Sequence, residues 1–226
     1  MRGKFIVIEG GDGAGKKTQT ELLAARLREA GTRVETVSFP RYGQPSASLV
    51  ERYLRGELGA KEDVSAYVAS ALYAHDRAAA APQIEAWLSD GAIVLSDRYA
   101  QSNMAHQGAK IADPEKRAAL LSWLDDFEFV RLGIPRPDLT LVLAVPPVVR
   151  DANVEKKESR AYLEGKAKDI HEGDVRYQER VEAVYKEIAH SLPKHVWIDC
   201  TENGALVPTQ KCHDRIWPHL EKLLNA

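Results

Sequence analysis

Apolar residues follow two alternating rhythms along this chain. Short apolar runs recur at 5–8, 33–38, 92–96, 139–145 and 195–199, separated by longer segments of helical period. That alternation predicts an α/β domain with a mainly parallel sheet. The helical segments have readable faces: Leu23 and Leu27 between Thr20 and Arg28, then Leu49, Val50, Tyr53 and Leu54 in a second helix. Towards the C-terminal end, Val181, Val184, Tyr185, Ile188 and Leu192 form one stripe, and Ile216, Trp217, Leu220 and Leu224 another. Stripes of this spacing are core positions, not ligand sites. The stretch from Asp63 to Leu88 predicts one long helix bent near Pro82, where the ring removes a backbone donor and crowds the preceding turn.

The first run leads into FIVIEGGDGAGKKTQ, a strand followed by a glycine-rich turn, a lysine and a helix. This is the pattern of a phosphate cradle. Gly10, Gly13 and Gly15 let backbone N–H groups point inward, Lys16 reaches the terminal phosphates, and the helix N-terminus adds partial positive charge. Lys17 occupies the place where a Ser or Thr hydroxyl usually binds Mg²⁺, with Thr18 one position later. An ammonium cannot ligate a cation. Three readings follow: the metal is held by other groups and water, a shifted backbone brings Thr18 to it, or catalysis is impaired. Lys17 itself would place an extra cation near the β and γ phosphates.

Composition narrows the setting. With 226 residues, 44% of them hydrophobic, the chain suits one buried core, and a single domain over 1–226 is expected. Lys and Arg total 31 against 33 Asp and Glu, a net charge of -2, so no global field draws nucleic acid or membrane. Cys200 and Cys212 lack metal-ligand spacing, and MRGKFIVIEGG has no secretory apolar core. No run approaches the roughly 20 apolar residues of a membrane span. A cytoplasmic protein is expected.

A second polar cluster, SDRYAQSNMAHQG at 96–108, sets an Asp-Arg pair at the C-terminal end of a predicted strand. In open parallel sheets that edge faces the ligand crevice. Asp97 can orient Mg²⁺-bound water or accept a proton, and Arg98 can neutralise a phosphate with its planar fork of donors. A third, LYAHDR at 72–77, puts Tyr73 and Arg77 on one helix face, where a ring can stack on a base and a guanidinium can bond its carbonyl edge. Taken alone, that spacing equally describes a core tyrosine beside a surface arginine. The charged stretch 151–174 carries Lys156, Lys157, Arg160, Lys166 and Lys168 with little apolar stripe. In a chain without a phosphate site it would read as a solvated helix pair; beside this cradle it reads as a mobile lid.

In order and spacing, EGGDGAGK, FPRYGQPS at 39–46, LYAHDR, DRYAQSNMAHQG, PDLTLVLAVPP at 137–147 and KDIHE at 168–172 resemble the thymidylate kinase family. Members are P-loop nucleoside monophosphate kinases that move the γ-phosphoryl of ATP onto dTMP with Mg²⁺. The resemblance implies a three-layer fold with a five-stranded parallel sheet flanked by helices, and a homodimer formed by helix packing. It implies that Gly10 and Asp12 to Thr18, with Ala14 among them, hold ATP phosphates. Asp12 would also meet the acceptor's 3′-hydroxyl. Tyr73 would stack on thymine and Arg77 bond it; Arg98 would bind the acceptor phosphate, with Asp97 near the metal. Tyr99 would crowd a ribose 2′-hydroxyl, Ser102 and Gln107 would approach the base, and Phe39 and Arg41 of FPRYG would border the acceptor. Gly13 stands where some members carry a catalytic arginine, so the resemblance calls for a lid donor, Arg160 first, then Lys156 and Lys157. His106 and Ala144 depart from the family pattern, at an aromatic and an acidic position. Two rival functions share the same cradle: a kinase for another nucleoside or nucleotide, and a non-catalytic nucleotide sensor. A P-loop ATPase acting on protein or nucleic acid is disfavoured by the near-neutral charge.

Overall fold

The computed structural model describes residues 2–60, 63–149 and 175–225. The expected lid at 151–174, with Arg160, Lys156 and Lys157, lies outside the described residues. Each of the five apolar runs forms a strand: β1 (Phe5–Gly10), β2 (Val34–Ser38), β3 (Ile93–Asp97), β4 (Leu139–Ala144) and β5 (His195–Asp199). They make one parallel sheet in the order β2-β3-β1-β4-β5. The helices are α1 (Lys16–Glu29), α2 (Ser48–Leu54), α3 (Ala66–Ser89), α4 (Ala100–Gly108), α5 (Pro114–Asp125), α6 (Val175–Ser191) and α7 (Thr209–Leu224).

Parallel strands need crossover connections, and the helices that supply them cover both sheet faces. Period-two alternation then sends neighbouring residues of β1 to opposite layers. Ile6 and Ile8 pack with Leu95, Leu141 and Leu143 against Leu23 and Leu27 of α1 and Ile216 and Leu220 of α7. Phe5 and Val7 pack with Val94 against Ile84 and Leu88 of α3. On the same side as α3, Val142 meets Met104 of α4 and Tyr177, Val181, Val184, Tyr185 and Ile188 of α6. The result is the expected three-layer α/β/α arrangement.

Register fixes where chemistry can gather. Ile8 pairs with Asp97 and Gly10 with Leu143, so the turn after β1 and the Asp97-Arg98 pair leave the sheet side by side at its C-terminal edge.

Several local expectations needed correction. The long helix begins at Ala66 rather than Asp63, because Ser65 accepts a hydrogen bond from the Val68 N–H (3.2 Å) and caps it; it then continues through Pro82. Leu49 is exposed, since the short α2 buries Val50, Tyr53 and Leu54 and leaves Leu49 at the edge of that face. Leu192 lies one residue past the end of α6 and is also exposed. Two elements had no clear apolar signal: a π-helical turn at Asp126–Arg131 and a small antiparallel hairpin, β6 (Thr201–Glu202) with β7 (Ala205–Leu206). Among the described residues no helix is long and apolar enough to cross a membrane.

Candidate active site

The cradle is built by a strand that must turn in very little space. A Cβ on Gly10 would sit 2.5 Å from the carbonyl oxygen of Leu143, and its φ of +138° is one that other residues rarely adopt. Gly15 precedes α1 in a left-handed conformation, and no side chain caps that helix. Its first N–H groups, with the helix dipole behind them, suit an anion. Lys16 is buried, and its ammonium donates to the Gly11 carbonyl (2.8 Å). Burial, then the charge of Arg98, pushes its pKa down to about 7 against the pull of Asp97, Asp12 and Glu9. A phosphate oxygen brought against Lys16 would favour the charged form.

Arg98 follows β3 with a φ of +69°, a left-handed backbone that costs a non-glycine residue about 1–3 kcal/mol and collects at functional sites. Its N–H donates to the Ile8 carbonyl (3.0 Å), tying the turn to β1. The guanidinium forms an ion pair with Asp12 and donates to Ser102 Oγ (3.0 Å) and to the Gly10 carbonyl (3.3 Å). Beneath it lies Glu9, fully buried. Its carboxylate accepts from the backbone N–H of Tyr99 (2.7 Å) and Ser102 (3.0 Å), from Ser102 Oγ (2.6 Å) and from Tyr185 Oη (2.9 Å). Burial raises the pKa of Glu9 despite these bonds and the charge of Arg98. Burial acts on Arg98 in the opposite sense to Asp12, and Asp12 with its neighbours wins, holding the guanidinium well above its ordinary value.

A cleft of about 710 Å³ runs over these groups, within the usual range for small-molecule sites. One wall comes from α3 and α4, with Tyr73, Arg77, Asn103, His106 and Gln107; the middle from Asp12 to Gln19, Asp97 and Arg98; the far wall from Cys200, Leu206, Val207, Thr209 and Cys212. Phe39, Tyr99 and Ser102 also line it. The structure thus brings nearly all the residues singled out from sequence to one cavity.

Four of them have surroundings that the sequence did not show. Arg41 does not line the cleft; its guanidinium donates to Asp76 (3.0 Å) and Ser46 (2.8 Å), and Tyr42 takes the wall instead. Ser102, expected beside the base, has its hydroxyl engaged by Glu9, Arg98 and Tyr185. Lys17 turns outward, its side chain 83% exposed and its ammonium 3.9 Å from Glu21. Arg77 is no surface arginine: it is 2% exposed and makes a two-bond fork with Glu128 (2.5 and 2.7 Å). Burial alone would lower the pKa of Arg77, but the charge and hydrogen bonds of Glu128 raise it. Three of the five guanidinium N–H donors stay outside that fork.

Glu9, Asn103, Glu128 and Tyr185 escaped the sequence reading. Glu9 had a signal, a lone acid inside an apolar strand. Tyr185 belongs to a core stripe, where its ring packs, yet its hydroxyl donates to Glu9 beneath Arg98. Asn103 donates to Glu128 Oε1 (3.0 Å) and to the Ser70 carbonyl (3.1 Å), while its Oδ1 has no hydrogen-bond partner. Gln107 is wholly buried, and neither its amide oxygen nor its amide nitrogen has one. Among the described residues no group of three or more His, Cys, Asp or Glu could hold a metal. Asp97 and Asp12 in one cleft do fit Mg²⁺, which commonly takes one or two carboxylates together with substrate phosphates and water.

Two outcomes test this electrostatic picture. Arg77→Met leaves Glu128 charged in the interior and is expected to lower stability by about 3–5 kcal/mol, whereas pairing it with Glu128→Leu recovers much of the loss; urea unfolding of the three proteins reads both. Because folding depresses the Lys16 pKa from 10.5 to about 7, the unfolded chain binds more protons between those values. The Lys16 contribution is therefore least favourable below pH 7 and improves as pH rises towards 10.5. Lys16→Met should flatten that rise in stability measured against the parent protein.

Comparison with known proteins matches this geometry. A model of the family described as thymidylate kinase matches residues 8–210. A thymidylate kinase of Mycobacterium tuberculosis is 39% identical over 187 residues, covering 82% of this chain and 85% of the relative. One from Rhodopseudomonas palustris is 33% identical over 224 residues, covering 96% and 88%. In fold, a solved thymidylate kinase from Candida albicans superposes with a TM-score of 0.74 at 22% identity, over 99% of this chain and 93% of that one. The phosphate cradle, the Asp97-Arg98 turn and the family match over most of the length therefore agree: this chain belongs to the thymidylate kinase family.

Proposed function

We propose that the chain transfers the γ-phosphoryl of ATP to dTMP, giving dTDP and ADP for dTTP synthesis. The observation that carries the choice of acceptor is the orphaned amide of Gln107. A buried donor and acceptor left unpaired cost about 1–3 kcal/mol each, so native proteins rarely keep both without a partner. A nucleobase edge offers both, and Asn103 Oδ1 and Arg77 line the same wall. Tyr73 and Tyr99 line the cleft; the first would stack on the base and the second would crowd a ribose 2′-hydroxyl.

In this reading the acceptor phosphate lies against Arg98, and Asp12 holds the 3′-hydroxyl. Arg98 would exchange its ion pair with Asp12 for one with phosphate, while Glu9, Ser102 and Tyr185 keep its turn in place. The turn from Gly10 to Thr18 and the N-terminus of α1 hold the donor phosphates, with Lys16 on the terminal ones. A phosphate oxygen is already anionic near neutral pH, so no general base is needed; alignment and charge neutralisation by Lys16 and Arg98 carry the rate. Mg²⁺, held through Asp97 and water, would supply further neutralisation of phosphate charge. Arg160, outside the described residues, would add a further cation to the transferring phosphoryl group. Lys17 would reach the phosphates by leaving its exposed pair with Glu21.

Incubation with ATP, dTMP and Mg²⁺ should give dTDP only when every component is present. Arg98→Ala should lower kcat/KM by at least about 10²-fold with an unchanged far-ultraviolet circular dichroism spectrum. Binding of both nucleotides without dTDP would replace the kinase by a sensor.

The same reading includes a cytoplasmic homodimer packed through helices. Tyr67 and Val68 at the start of α3 expose apolar surface suited to such packing. Sedimentation equilibrium at micromolar concentration should return twice the chain mass; the mass of one chain would remove the dimer.

A further inference from the structure

The far wall of the cleft holds two groups that phosphoryl transfer does not use. Cys200 follows β5, and Cys212 lies in the first turn of α7, with the β6–β7 hairpin between them. Both are free thiols, both are buried, and their sulfurs are 2.7 Å apart. Each backbone is pinned: the Cys200 N–H donates to the Ala144 carbonyl (3.0 Å), its carbonyl accepts from Val207 N–H (3.0 Å), and the Cys212 N–H donates to Pro208 (3.1 Å). The plain alternative is two small apolar side chains filling a core beside Ile198 and Ile216. Two features go beyond packing. The sulfurs touch each other within that packing, and both residues line the open cleft, which gives a small oxidant a route to them.

We infer that Cys200 and Cys212 are a modification site, a dithiol on the wall of the nucleotide cleft that a peroxide closes to an intramolecular disulfide.

The two sulfurs have different parts. Either thiol can donate in the contact between the two sulfurs; that contact lowers the Cys212 pKa against the effect of burial, with Arg215 assisting, and together with burial it raises that of Cys200. Cys212 lies in the first turn of a helix, where the dipole favours a thiolate, and this position assigns it the attack, with its lowered pKa in agreement. Its sulfur takes one peroxide oxygen, breaking the O–O bond, and becomes a sulfenic acid; the other oxygen leaves as hydroxide, which takes up the proton released when the thiol ionised and becomes water. The Cys200 sulfur then attacks the sulfenic sulfur, the S–S bond forms, and the departing hydroxide takes the Cys200 proton as a second water. The two sulfurs together lose the electron pair that the peroxide gains. A thiol reductant reverses the reaction. Closing the bond needs an approach to about 2.05 Å, a small shift for two side chains already in contact. It would staple the hairpin carrying Leu206 and Val207, which also line the cleft.

The folded protein is treated with hydrogen peroxide, remaining thiols are alkylated, and peptides are mapped with and without later reduction. The expected product is a reducible peptide pair joining Cys200 to Cys212, lighter by two hydrogens. Cys200→Ser should leave a sulfenic acid on Cys212 that dimedone traps; Cys212→Ser should leave Cys200 reduced under the same treatment. Two alkylated thiols after peroxide, or separate sulfinic acids on an unlinked pair, would overturn the inference. Saturating ATP should slow closure by about fivefold or more, since a ligand filling the cleft blocks the wall. Only this last arm rests on the proposed function: calorimetry on the reduced protein shows whether ATP binds at all, and the peptide map decides the dithiol either way.

Discussion

A carboxylate with no access to water sits beneath the cleft, and the rest of the site is arranged around satisfying it. Glu9 belongs to the central strand β1, yet its four hydrogen bonds come from the turn after β3, from α4 and from α6. An ionised group in such a place is tolerated only when its lone pairs are filled and an opposite charge stands near. Arg98 is that charge. Holding it there requires a left-handed backbone at a non-glycine residue, and the Ser102 and Tyr185 hydroxyls join acid to guanidinium. The arrangement binds the sheet and one helical layer to a single point, at the edge where the phosphate cradle also emerges.

A second buried pair works the same way on the neighbouring wall. Arg77 and Glu128 lie far apart in sequence and meet in a two-bond fork that Asn103 extends. The Asp12–Arg98 and Arg77–Glu128 pairs differ in consequence. The first is partly exposed to the cleft; the second is sealed from solvent. Preorganised charge beside an unpartnered amide such as that of Gln107 suits a site in which the ligand, rather than the protein, completes the hydrogen bonding.

The elements carrying this site differed in how openly the sequence announced them. The three central strands β1, β3 and β4 were legible because each is an apolar run covered on both sides, while the edge strands β2 and β5 carry polar residues and are only partly covered. The cradle was legible because the geometry of a tight turn ahead of a helix demands glycines at set spacings. The helix stripes were legible as core, but their margins were not: Leu49 and Leu192 follow the same spacing and end in solvent, because a helix face has edges that periodicity does not mark. Roles were harder to read than positions. Ser102 and Arg41 stand in strings that resemble those of nucleotide-binding relatives, yet in the fold one serves the Arg98 network and the other pairs with Asp76.

By itself the sequence determined what depends on neighbours along the chain: the α/β alternation, the phosphate cradle, the Asp97-Arg98 turn at a strand end, and the absence of any global charge that would draw nucleic acid. Only the tertiary structure decided which buried polar groups meet. Glu9 with Tyr185, Arg77 with Glu128, and Cys200 with Cys212 are each brought together by strand register and helix packing. Hydrogen bonds and ion pairs act over a few ångströms of space, and no local pattern records which distant residue will fill them.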